Sequence, residues 1–111
     1  MSDGIAFQEH WAAHFARRMA ARIEHALATP DPRERRDALA GALDLGKEAR
    51  LRIESGTTDD AAEREGLRHL QQALDEVQAA LNRYDVCTDD VIRAAKEEAA
   101  QAADHLAAVG R

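Results

Sequence analysis

Residues 67–84 place Leu67, Leu70, Leu74, Val77, Leu81 and Tyr84 at spacings of 3, 4, 3, 4 and 3. A strict heptad seam keeps one stripe of a helix against its neighbour, which demands helix-on-helix packing and is incompatible with a sheet. Gly66, Ala73 and Ala80 run beside this seam at intervals of seven. The same spacing recurs in Ile92, Ala95, Ala99, Ala102, Leu106 and Val109, and in Leu39, Ala42, Gly46, Ala49 and Ile53. Alanine and glycine make up half or more of the last two of these three seams. Small residues let backbones approach closely, so the spacing predicts near-parallel axes rather than steep crossings.

Composition sharpens this reading. The chain has 111 residues, of which 25 are alanine, and only 4% are aromatic. Large apolar side chains are few, so stability must come from close helix approach or from burial against a second chain. One helical domain over residues 1–111 is the expectation.

Three breaks divide the chain: "TPDP" at 29–32, "SGTTDD" at 55–60 and "YDVCT" at 84–88. Asp31 is a good N-cap, with Pro32 at the first helical position and Glu34 at the third, a capping-box pattern. Thr58 with Asp59 and Asp60, and Thr88 with Asp89 and Asp90, repeat the device of a cap followed by acids at the positive end of a helix dipole. Gly56 and Gly110 stand where helix C-termini favour a left-handed residue. Helices are expected near 5–28, 33–55, 60–84 and 89–109. Similar lengths and short connections imply an all-α, up-and-down antiparallel four-helix bundle with Ala/Gly-rich heptad seams, completed or extended by homodimerisation in one version of the fold.

The first helix departs from this pattern. Trp11, Phe15, Met19, Ile23, Ala26 and Leu27 fan across an arc of about 200°, roughly twice the width that one seam needs. Phe7 lies beside Trp11 at the edge, and Arg18 and Arg22 share that edge. A rim or partner contact is therefore expected for Phe7 and Trp11, with Phe15 in the core.

The formal net charge is −6 and falls unevenly. Residues 1–56 carry nine acids and nine Lys/Arg, whereas residues 57–111 carry twelve acids and six. An acidic chain repels phosphate backbones, which disfavours nucleic acid as a partner. No apolar run approaches the roughly 20 residues needed to cross a bilayer, and no leader segment is read at the start. A cytoplasmic protein that does not bind membranes is the expectation. Arginine far outnumbers lysine and alanine is abundant, as in the proteins of GC-rich bacterial genomes.

Candidate chemistry is sparse. His10 and His14 have the four-residue spacing that lets two imidazoles share a metal, but their face shows no co-ligands, and solvated histidines are the stronger reading. His69 is read on the solvent side of its seam. The "LQQALDEV" that follows it lacks the lysine and glycine of a phosphotransfer histidine. Cys87 is the only cysteine, so no intramolecular disulfide or CxxC motif exists. No nucleophile motif, phosphate-binding loop or isolated carboxylate points to catalysis, and no cofactor is implied.

What remains is exposed apolar surface. Leu51 points away from the second seam and Leu45 lies at its edge, while Val86 and Val91 flank the last turn. Tryptophan with flanking arginines is a favoured interface composition. The sequence reading is a small, acidic, non-enzymatic protein that binds and sequesters a partner protein with a basic or apolar surface, in the manner of an anti-activator of a transcription regulator. Phe7, Trp11, Arg18, Arg22, Leu45 and Leu51 would form the interface. Alternatives are a metal-binding or sensing bundle using His10 and His14, or an immunity, adaptor or chaperone protein.

Overall fold

The computed structural model describes residues 11–55, 60–82 and 89–109. Among these residues the structure is all-α, with four helices: α1 (Trp11–Ala28), α2 (Pro32–Glu54), α3 (Ala61–Asn82) and α4 (Asp89–Ala107). Each helix packs on two others, in the cyclic order α1–α2–α3–α4, and the α2–α3 seam is the sparsest. No helix among the described residues is long and apolar enough to cross a membrane.

Local chemistry explains where the helices begin. Asp31 caps α2 by accepting from the Arg33 amide at 3.0 Å, with Pro32 in the first turn. Glu34 does not reach back to the Asp31 amide directly. That amide donates to Thr29 Oγ1, and the Thr29 hydroxyl donates to Glu34 at 2.8 Å, so the buried threonine relays the capping box. The cap of α3 is Asp60, which accepts from the Ala62 amide at 2.7 Å. Thr58, Thr88, Gly56 and Gly110 lie outside the described residues.

Arg35 ties three helix ends together. Its Nε donates to the Ala26 carbonyl at 2.9 Å, in the last turn of α1, and another nitrogen reaches Asp89 at 2.9 Å, at the start of α4. A cation thus meets the negative end of one helix dipole and a carboxylate sits at the positive end of another.

The core is a set of small-residue seams. In α2, Leu39, Ala42, Gly46, Ala49 and Ile53 are all buried, as are Ile92, Ala95, Ala99, Ala102 and Leu106 in α4. In α3 the buried stripe is Gly66, Leu70, Ala73, Val77 and Ala80, with Leu74 beside it. Leu67 and Leu81 are only partly buried, so the seam lies closer to the small residues than the leucine spacing alone suggests. Tyr84 lies outside the described residues.

The largest correction falls on α1. Its fully buried residues include Ala12, Ala16, Met19, Ile23 and Ala26, a heptad seam of spacing 4, 3, 4, 3 like those of the other helices. Phe15 is half-buried rather than central, and Trp11 is 65% exposed. Side-chain size alone favours the aromatic edge over an alanine stripe. The close approach of the helices selects the stripe instead.

Glycine stands where side chains of a neighbouring helix press onto the backbone. A Cβ on Gly46 would lie 2.6 Å from Leu74 Cδ2 and 2.8 Å from Met19 Sδ. One on Gly66 would lie 2.6 Å from Leu106 Cγ. At Gly41 the nearest atom, at 2.6 Å, belongs to the guanidinium of the exposed Arg22, which is free to swing away. Gly66→Ala is therefore expected to destabilise by about 1 kcal/mol or more through overpacking. Gly41→Ala should gain about 0.5–1 kcal/mol from helix propensity. Urea unfolding of both variants checks this opposition in sign.

Candidate functional site

Trp11, Phe15, Arg18 and Arg22 follow one another at spacings of 4, 3 and 4, which places them on one stripe of α1. Gly41, Asp44, Leu45, Glu48, Leu51 and Arg52 form the facing stripe of α2. Contacts join the two. The Arg52 guanidinium lies over the Phe15 ring, 5.9 Å from its centroid, and its Nε donates to Glu48 at 3.2 Å. Further along, Arg18, Ala21 and Arg22 line a shallow open groove with Gly41, Asp44 and Leu45.

Five of the six residues expected at an interface therefore share this face of the α1–α2 pair. Arg18 and Arg22 are exposed and Leu45 is half-buried against the core. Leu51 is 59% exposed. Trp11 stands one turn beyond Phe15, and Leu51 is next to the Arg52 that covers Phe15, so both large exposed side chains belong to the same end of the helix pair. Phe7 lies outside the described residues, as do Val86 and Cys87. Val91 is 37% exposed, away from this face on α4.

His10 also lies outside the described residues. His14 is exposed. Its ring meets Trp11 edge-on, with centroids 6.1 Å apart. Among the described residues, the three potential metal ligands that converge are elsewhere: Glu65, His69 and His105.

That second cluster spans α3 and α4, and it corrects the placement of His69. The side chain is buried, not on the solvent side of its seam. Its ring stacks on His105 with centroids 5.1 Å apart and planes within 5°. His69 Nδ1 is 2.5 Å from Glu98 Oε1, and Arg68 approaches Nε2 at 3.2 Å. Arg68 also holds Glu65 through two nitrogens, at 3.0 and 3.3 Å.

The sequence signal for this cluster was present in two pairs. Glu65 and His69 are four apart, on one face of α3, and Glu98 and His105 are seven apart on α4. Neither pair means much until packing brings the two helices together.

Electrostatics at the cluster's exposed edge are simple. The hydrogen bond from Arg68, with its charge, holds the Glu65 carboxyl below the usual carboxylate range. The same hydrogen bond and charge from Glu65 raise Arg68. A carboxyl lowered in the folded state contributes stability above its unfolded pKa and loses it as pH falls through the folded value. Both groups are solvated, so that contribution is small. Arg68→Ala should move the Glu65 pKa upward, towards the ordinary value, as read by an NMR pH titration of its side-chain carbons.

Comparisons with protein-family models, curated proteins and solved structures gave no match.

Proposed function

We propose that this chain is a non-enzymatic regulator that binds and sequesters a partner protein through the α1–α2 face. The observation that carries the reading is the pairing of Trp11 and Leu51, the two most exposed large apolar residues, at one end of a face that continues into an arginine-lined groove. Tryptophan and arginine are the residue types over-represented where binding energy concentrates. The lining of Arg18, Arg22 and Asp44 suits a partner surface that is apolar at its centre and polar at its rim.

The proposal includes an up-and-down arrangement in which neighbouring helices run in opposite directions. Its support is the order of contacts. Along α1, Phe15 and Arg22 meet Arg52 and Gly41 in descending order on α2. Gly46 and Arg50 of α2 likewise meet Leu74 and Gln71 of α3. Such an arrangement sets Trp11 and Leu51 at one end of the α1–α2 face and the arginine-lined groove further along it, suited to a docked helix or to a second copy of the chain. A cytoplasmic setting and a partner such as a transcription regulator belong to the same proposal.

The test is a crosslinking pull-down from the native host, comparing the wild-type chain with a Trp11→Ala/Leu51→Ala variant. The variant should keep the wild-type unfolding midpoint and lose the captured partner. Equal capture by both chains would overturn the proposal. Unfolding of the variant would place these side chains in the core and overturn it equally. Light scattering of the isolated chain distinguishes the homodimeric version, which requires twice the chain mass in wild type and a single chain mass in the variant.

A further inference from the structure

The geometry points to a binding site for a divalent transition-metal cation of the Zn²⁺ class, formed by Glu65, His69 and His105 between α3 and α4. It is separate from the α1–α2 face and does not depend on the function proposed for that face. One ligand atom from each of the three residues lies within 4.8 Å of the others. Two imidazole nitrogens and one carboxylate oxygen are a set that suits zinc, and they leave the fourth tetrahedral position to water. The nitrogen content favours zinc, copper or nickel over magnesium and calcium, which take oxygen ligands.

Hydrogen bonding has already placed the His69 proton where a metal requires it. An arginine guanidinium has only donors, so the Arg68 contact makes Nε2 of His69 an acceptor with its lone pair outward. The ring proton then belongs on Nδ1, where the Glu98 carboxylate accepts it. A carboxylate behind a histidine, fixing its tautomer and raising its basicity, is the usual support of a metal-bound imidazole. His69 is also buried, so its orientation is set by packing.

Arg68 marks where the cation goes. Its guanidinium bridges the Glu65 carboxylate and the His69 lone pair, the two groups that a metal would join. The side chain is exposed, and an exposed ion pair of this kind is weak. A divalent cation would displace it and gain the full attraction of the carboxylate. His105 is only half-buried, so its ring can tilt out of the stack to aim a nitrogen at the same point. Arg68 thus competes with the metal and is not a ligand.

The test is calorimetric titration of Zn²⁺ into the full chain carrying His10→Ala/His14→Ala, which removes the other histidine pair. One Zn²⁺ per chain is expected, with the ring resonances of His69 and His105 shifting together. In this background His105→Ala and Glu65→Gln should each weaken binding by more than tenfold. Glu98→Gln, a change behind the ligand, should weaken it by about 10- to 100-fold. Arg68→Ala should tighten it. His105 and Glu65 are accessible enough to change without loss of the fold, which circular dichroism checks. Absence of stoichiometric uptake in the His10→Ala/His14→Ala chain would overturn the proposal, and so would uptake that His105→Ala leaves unchanged.

Discussion

Gly46 of α2 faces Met19 from α1 and Leu74 from α3 at one point, with no room for even a methyl group. Gly66 receives Leu106 from α4 in the same way. These contacts set the spacing of the structure. At these points a large side chain of a neighbouring helix fills the space that a Cβ would need, and buried alanines line the seams on either side. Among the described residues, seven of the larger apolar side chains are fully buried: Met19, Ile23, Leu39, Leu70, Val77, Ile92 and Leu106. A chain with this composition gains stability from proximity, because dispersion between closely packed atoms replaces the area that bigger side chains would bury.

The close spacing also decides what is left outside. A seam that accepts Ala12 and Ala16 at full burial has no place for the rings one position earlier. Trp11 is therefore exposed, and Phe15 is left half-buried beneath Arg52. On α3 the displaced side chains are leucines, while Glu63 and His69 are buried, His69 held by Glu98 and stacked on His105. The two candidate sites are on different helix pairs. The face with Trp11 and the arginines lies on α1 and α2, where acids and bases balance. The His69 cluster lies on α3 and α4, in the half of the chain that carries the net negative charge.

The helical class and the seams of α2 and α4 were legible because they depend on spacing within one segment. Asp31 and Pro32 mark the start of α2 for the same reason. The seam of α1 was harder to read, since size and burial usually go together and here they separate: Ala16 is buried where Phe15 is not. The role of Thr29 as a relay was hidden because it needs the hydroxyl of a residue that precedes the cap. The His69 cluster could not be read locally. Glu65 and His69 form an ordinary exposed-looking pair until α4 brings Glu98 and His105 against them, and only tertiary packing supplies that contact.

The central claim is that close packing of alanine seams leaves Trp11 outside the chain's own core. Because Trp11 is the only tryptophan, its fluorescence reports on this directly. In dilute folded protein the emission should match that of the urea-unfolded chain, and acrylamide should quench both to a similar extent. A blue-shifted emission shielded from acrylamide at every concentration would contradict the account, because it would put the indole inside the bundle.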